Sequence, residues 1–389
     1  MEALQQAFAQ VFGNGEGELF FAPGRVNLIG EHIDYNGGYV FPCALDVGTY
    51  AMARRREDGL LRLYSMNFKE QGVIQADLAD LQYKEEQDWA NYPIGMISTL
   101  LKSGYCMTNG VDILFYGDIP NGAGLSSSAS IEVVTGAAMN ALFNLSIDGK
   151  ELAILAQRAE NEFVGVNCGI MDQFAVAMGR KEHAILLDCD SLDYSYSPLQ
   201  LADHSLIIAN TNKRRGLADS KYNERRKECE RALTDLQQNH TLHNLCEISP
   251  SDFEQWKDEI GNDVDRKRVR HVVYEHERTK EAARVLASGD LTAFGNLMND
   301  SHRSLREDYE VTGHELDALV SAAQRAGAVG ARMTGAGFGG CTVNLVRTND
   351  IQSFMEVVGR EYEEETGIRP DFYVVEIGDG VKSLAFHEA

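Results

Sequence analysis

The chain has 389 residues, 44% hydrophobic and 24% charged, with a formal net charge of −23 at pH 7. That length suggests about two domains, each able to bury its own core, and the composition is that of an ordinary globular protein. So acidic a chain argues against nucleic acid as a partner, because that binding is driven mainly by phosphate neutralisation. Any phosphate ligand must be held by local devices: backbone N–H groups, a metal ion and a few placed cations.

The N-terminal MEALQQAFAQVF reads as a short amphipathic helix, not a signal peptide. Residues 19–28 and 39–55 are β-rich, and 61–68 and 111–117 are patterned as strands. PNGAGLSSSAS (120–130) follows, and then Ile131, Val134, Ala138 and Leu142 fall at helical spacing. This serine- and glycine-rich stretch is therefore a strand-to-helix turn, where exposed N–H groups and the helix dipole attract an anion. It is neither of two familiar phosphate loops, since Leu125 follows Gly124 where a Lys is needed and Ser127 stands where a third Gly is needed.

A helix is expected over 151–163, burying Leu152, Leu155, Ala156, Ala159 and Phe163 and leaving Glu160 and Glu162 on opposite flanks. Strands are expected at 184–189 and 205–210. Residues 217–325 are almost continuously helical in pattern, with interruptions near 248–252 and 261–263. RMTGAGFGGCTVNLV (332–346) ends in a strand, and 372–378 forms another. The pattern predicts a two-domain α+β chain divided near residue 200, as 1–200 and 201–389. No apolar run approaches the roughly 18 residues of a membrane span. The seven cysteines (Cys43, Cys106, Cys168, Cys189, Cys229, Cys246 and Cys341) contain no CxxC pair, which points to a reducing, cytoplasmic setting without a zinc site.

Four segments carry candidate chemistry. GRVNLIGEHIDYNGG (24–38) sets Arg25, Glu31, His32 and Asp34 between glycines on a backbone anchored by Val26, Leu28 and Ile29. Carboxylates with a guanidinium suit a polyhydroxyl ligand, which needs donors and acceptors together; a solvated polar turn is the plainer alternative. GAGFGG (335–340) precedes a strand rather than a helix, so it reads as a tight glycine turn with positive φ. In CGIMDQF (168–174), Asp172 taken alone reads as a helix N-cap sooner than as a catalyst. In NTNKRRG (210–216), Lys213, Arg214 and Arg215 are candidates for a phosphate contact, whereas KYNERRKECE (221–230) reads as a solvated face paired at i,i+4.

Together these segments resemble the GHMP small-molecule kinases. PNGAGLSSSAS is similar to that family's phosphate-binding motif, RMTGAGFGGC to its C-terminal glycine motif, and GIMDQ to the segment bearing its active-site aspartate. GRVNLIGEHIDYNGG is similar to the signature of the family's galactose-phosphorylating branch, with Ile33 where that branch usually has Thr; Ala336 replaces the middle glycine of the C-terminal motif. The resemblance implies a ribosomal-S5 domain-2-like N-terminal domain, a ferredoxin-like C-terminal domain, and an active site in the cleft between them.

It also implies ATP and galactose as substrates, Mg²⁺ as cofactor, and no obligate protein partner. Gly122, Gly124, Ser126, Ser127 and Ser128 are expected around the ATP phosphates, with Arg214 as a phosphate contact and Trp89 and Tyr92 at the adenine. Ser128 is expected to hold Mg²⁺ together with a glutamate from 151–163; periodicity leaves Glu160 and Glu162 open, and the resemblance favours Glu160. Arg25, Glu31, His32, Asp34, Gly169, Asp172 and Tyr222 are expected around the sugar. Asp172 is expected to orient the anomeric hydroxyl and accept its proton late, with Arg25 supplying electrostatic stabilisation. N-acetylgalactosamine and L-arabinose are the alternative substrates, and a non-catalytic galactose and ATP sensor is the alternative role.

Overall fold

The computed structural model describes residues 2–120, 124–213 and 218–385, without the side chains of 218 and 219. A six-stranded sheet carries the N-terminal half, in the spatial order Lys382–Leu384, Glu18–Asn27, Pro42–Arg55, Val111–Gly117, Leu60–Ser65, Ile74–Asp77. Its neighbours run antiparallel except Leu60–Ser65 beside Val111–Gly117, which are parallel. The helices Asn91–Lys102, Ser127–Phe143, Gly149–Arg158 and Met171–Met178 supply the apolar layer against it, including Ile94, Val134, Leu155 and Phe174. The N-terminal helix Glu2–Phe12 buries Leu4, Phe8 and Phe12 in a cluster with Leu19, Met52 and Leu114.

The C-terminal half is built on a four-stranded antiparallel sheet in the order Gly330–Thr334, Cys341–Arg347, His204–Asn210, Asp371–Val375. Strand alternation sends Ile207 and Ala209 toward helices His314–Arg325 and Ile351–Thr366. It sends Leu206 and Ile208 toward Asp263–Ala287 and Leu291–Glu307. That second core also contains Val26, Leu28 and Ile29, so the segment bearing the sugar candidates is packed into the other half of the molecule.

The α+β pattern is the observed one, and three local expectations are corrected. The helix expected to 163 is α-helical only to Arg158 and continues as a π-turn over Ala159–Val164. The long helical stretch is cut by caps beyond the two expected: Ser249 and Asn262 cap at those, and Asp290 caps a third helix by accepting from the Ala293 N–H. A strand, Gly330–Thr334, precedes the glycine turn as well as following it. The strand Lys382–Leu384, outside those expectations, crosses back to pair with Leu19–Phe21 in the N-terminal sheet; the division into 1–200 and 201–389 stands as a proposal.

Candidate functional site

The phosphate-loop candidate leaves the sheet at Gly117 and enters the helix Ser127–Phe143 through Ser126. Ser126 has φ 62° and ψ 49° and makes no side-chain cap. A non-glycine residue in the left-handed region costs on the order of 1 kcal/mol, and here it turns the helix start toward the cleft. Ser127 is exposed and Ser128 half-buried. Gly122 and Arg214 lie outside the described residues.

Two other segments close on the loop. A Cβ at Gly24 would come 2.8 Å from the Leu125 carbonyl, and the Arg25 N–H donates to that carbonyl at 3.1 Å. Gly335 sits with φ +85° against the Gly124 carbonyl. The sugar segment, phosphate loop and glycine turn therefore meet at backbone-to-backbone distance. They enclose a cleft of about 410 Å³ whose walls include Arg25, Asp34, Ser128, Glu160, Asp172 and Tyr222.

Arg25 is its hub. Nε and Nη2 donate to the two Asp172 oxygens at 2.7 and 2.8 Å, while Nη1 donates to the Gly124 carbonyl at 2.9 Å. Ser126 Oγ donates to Asp172 Oδ2 at 2.5 Å. Burial works against the Arg25 charge, but Asp172, Glu31 and Asp34 overcome it and hold its pKa above the ordinary value. The capping expectation for Asp172 is corrected: the helix Met171–Met178 starts behind Ile170 with no side-chain cap, and the Asp172 carboxylate is turned into the bidentate pair.

On the sugar side, Asp34 packs so tightly on Gly169 that any Cβ there would collide with its carboxylate. Burial, then the neighbouring Asp172, pushes the Asp34 pKa up to about 7. Glu31 is buried and accepts from Arg332 Nη2 at 2.9 Å. His32 is buried with φ 62°. Its ring lies 5.5 Å from that of Tyr222.

The π-turn sets the two glutamates apart. One extra residue per turn rotates Glu160 inward, where it is 6% exposed, and leaves Glu162 exposed, outside this cleft on a shallow pocket with Lys102 and Arg158. Glu160 accepts from Gln173 Nε2 at 2.6 Å and lies beside Ser128. Burial and Asp172 raise its pKa to about 7. Behind it, both oxygens of the fully buried Glu132 lack a well-formed hydrogen-bond partner among the described residues.

Trp89 and Tyr92 are not on this cleft. The Trp89 ring is buried between Phe68 and Phe115, 6.5 and 5.7 Å away, and Tyr92 is half-buried in the helix Asn91–Lys102. Lys213 is engaged by Glu315 at 2.6 Å.

The residues that sequence reading missed hold the sugar segment from behind. Glu275, fully buried, accepts from the N–H groups of Gly30 and Glu31 at 3.0 and 3.4 Å. It also accepts from Ser301 Oγ at 2.6 Å and Arg278 Nε at 2.7 Å. Burial alone would raise its pKa, but Arg278, His271 and Arg332 bring it down to about 2. One turn earlier, His271 Nε2 donates to the Glu31 carbonyl at 3.0 Å. A signal was present: Arg268, His271, Glu275 and Thr279 share one buried helical stripe, and a polar stripe at that spacing is polar for a reason.

Comparison with known proteins agrees with this geometry. Family models match residues 91–180 (GHMP kinases N terminal domain), 281–364 (GHMP kinases C terminal) and 6–55 (galactokinase galactose-binding signature). The chain is similar to the galactokinase of Clostridium beijerinckii, 54% identical over 99% of each chain. It is similar also to that of Bacillus subtilis, at 53% over 98% of this chain and 99% of the relative. Its structure resembles Lactococcus lactis galactokinase complexed with galactose, with TM-score 0.97, 49% identity and coverage of 98% and 99%. The Methanococcus jannaschii mevalonate kinase shares the fold at TM-score 0.65 and 19% identity.

Proposed function

The chain belongs to the galactokinase family of GHMP kinases, and from that premise we propose that it transfers the terminal phosphoryl group of ATP to the anomeric hydroxyl of α-D-galactose, giving galactose 1-phosphate. One observation carries the reading: the Arg25–Asp172 pair joins the polyhydroxyl-binding segment to the phosphate loop within a single cleft.

Asp34, Glu31, Tyr222 and the Gly169 backbone form the sugar wall. Gly124, Ser126, Ser127 and Ser128 form the phosphate wall, joined in this reading by Gly122 and Arg214. Trp89 and Tyr92 keep their proposed adenine role only at a distance from this cleft. Phosphoryl transfer needs positioning and charge neutralisation more than covalent help. Arg25, held between Asp172 and the Gly124 carbonyl, sits where charge develops on the transferring group. Asp172 already accepts three hydrogen bonds, from two Arg25 nitrogens and Ser126. It therefore orients the sugar hydroxyl and takes its proton late, once that hydroxyl has become more acidic.

The residues beside Ser128 suit Mg²⁺. Among the described residues no three His, Cys, Asp or Glu side chains form a ready-made metal cage. An Mg²⁺ bound with ATP takes only one or two protein oxygens besides phosphate and water. Ser128 and Glu160 supply hard oxygens, and behind them the buried Glu132 carboxyl, its pKa held well above the ordinary value by burial and by Glu160, has no well-formed hydrogen bond of its own. Ser128 and Glu160, both on the cleft wall, would hold the ion, which would neutralise phosphate charge.

The test is a coupled ADP-release assay over galactose, N-acetylgalactosamine, L-arabinose, homoserine and mevalonate. Galactose is expected to give the highest kcat/KM. Homoserine or mevalonate exceeding every sugar overturns the proposal.

A further inference from the structure

His32 faces the cleft, yet both its ring nitrogens are engaged inside the protein. Nε2 lies 3.0 Å from the Ala336 carbonyl and Nδ1 lies 2.9 Å from the Tyr35 hydroxyl. A carbonyl can only accept, so Nε2 carries the proton. Burial, reinforced by His271, Arg225 and Arg332, holds the imidazole neutral, with its pKa pushed down to about 3. Nδ1 therefore accepts, and Tyr35 must donate to it.

That single constraint propagates. Tyr35 has one hydroxyl proton, so across its 2.8 Å contact it accepts from Tyr309. Tyr309 has then used its own proton, and at 3.2 Å it accepts from the Cys229 thiol. Asn36 Nδ2 donates weakly to the Cys229 sulfur at 3.8 Å. Tyr309 is fully buried and Cys229 is 2% exposed. Arg225 Nε fixes the Tyr309 backbone carbonyl at 2.7 Å. The mechanism uses none of these three groups.

We propose that Cys229, Tyr309 and Tyr35 are positioning residues, a one-way hydrogen-bond relay that fixes the tautomer and orientation of His32 and, through Ala336, ties the sugar segment to the glycine turn at 335–340. The inference rests on the galactose site proposed above. In it, His32 is a strut between the two halves of the chain, and its ring nitrogens are not available to the sugar. The turn it holds lies against Gly124, to which Arg25 also donates, so slack at His32 reaches the site of transfer through one carbonyl.

The experiment uses Tyr35→Phe, Tyr309→Phe, the double variant, Cys229→Ala and Cys229→Ser in the full chain. Thermal melting first verifies folding; if Tyr309→Phe fails to fold, the half-buried Tyr35 carries the test. Losing one donor in the relay leaves a buried acceptor unpaired, so the galactose KM should rise about tenfold, with the ATP KM unchanged. Because the groups act in series, the double variant should be no worse than the weaker single one. Cys229→Ser, which keeps a donor, should recover most of what Cys229→Ala loses. In ¹⁵N spectra, the His32 Nδ1 resonance should move toward that of an unbonded nitrogen in Tyr35→Phe.

A Tyr35→Phe protein with parental galactose KM and an unmoved Nδ1 resonance overturns the relay, as does a double variant whose effect is the product of the two single ones. A parent protein that ignores galactose would sink the family-based reading instead, and the Nδ1 resonance would still decide the relay.

Discussion

The sugar segment and the phosphate loop meet at Arg25 but are held in opposite ways. The sugar segment is fastened from behind: Glu275 takes the Gly30 and Glu31 N–H groups, His271 the Glu31 carbonyl, Arg332 the Glu31 carboxylate, and Tyr35 and Ala336 the His32 ring. The phosphate loop starts its helix at a left-handed, uncapped Ser126, with Ser127 exposed. Recognition of a neutral polyhydroxyl ligand needs acceptors and donors fixed before binding, since misplaced groups lose their hydrogen bonds to water without replacement. An anion brings enough charge to organise a helix start on arrival. One wall is preorganised by protein, and the other leaves its donors for the ligand.

Where the walls join, the largest effect is expected. Asp172→Asn keeps shape but removes the charge, and its kcat should fall by at least about 10²-fold, the range for lost general-base assistance. The carboxamide can still accept from Arg25, so galactose and ATP binding should stay within about an order of magnitude. Turnover within a few-fold of the parent in steady-state assays would show that the junction is structural only.

On the phosphate wall, function and stability should move apart. Glu160→Gln is expected to weaken the apparent Mg²⁺ affinity about 10- to 100-fold, whereas Glu162→Ala, on the exposed side of the π-turn, should change it less than twofold or so. Glu160 is held at a pKa of about 7 against an ordinary 4.5. In the absence of ligand the buried charge should therefore cost on the order of 3 kcal/mol at pH 8. Glu160→Gln should raise Tm there while it cripples turnover, and a lowered Tm with intact Mg²⁺ dependence would reverse the assignment.

Behind the sugar wall the stability change should have the opposite sign. Glu275→Gln loses charge-assisted bonds from Arg278 and Ser301 and should lower stability by about 2 kcal/mol. The galactose KM should rise and the ATP KM should not. A variant with parental Tm and an altered ATP KM would mean that the two walls are not separately supported.

The smallest effects lie in pH dependence. The Glu275 pKa is depressed to about 2, so its contribution is present above the ordinary carboxylate value and is lost as pH falls from about 4.5 toward 2. The Glu275→Gln penalty should fade over that window. Glu160 is raised to about 7; its unfolded form gives up the proton near 4.5, so the cost of its charge builds between those values. The Tm gain of Glu160→Gln should accordingly shrink from pH 8 to pH 5. Melting curves of the two variants across pH 3–8 check both signs.

The sequence by itself determined the elements and most of the site's parts. The glycine-serine turn before an apolar-periodic stretch marked a helix start able to take phosphate, and GRVNLIGEHIDYNGG concentrated the sugar-wall residues because a tight segment must carry its chemistry locally. Alternation located most of the strands but missed Ile74–Asp77, Tyr194–Pro198, Gly330–Thr334 and Lys382–Leu384. Local pattern also limited the reading. It could not choose Glu160 over Glu162, because a π-turn breaks the 3.6-residue period on which that choice depends. It took Asp172 for a cap, because the competing partner, Arg25, lies 147 residues away in sequence. The adenine role of Trp89 came from the resemblance and not from local pattern; the ring packs between Phe68 and Phe115. Only the tertiary structure set His271, Glu275 and Arg332 against the sugar segment, since each acts across a contact between halves of the chain. In sequence those residues form a polar helix stripe and a strand position; burial against the sugar segment is what turns their hydrogen bonds into the frame of the site.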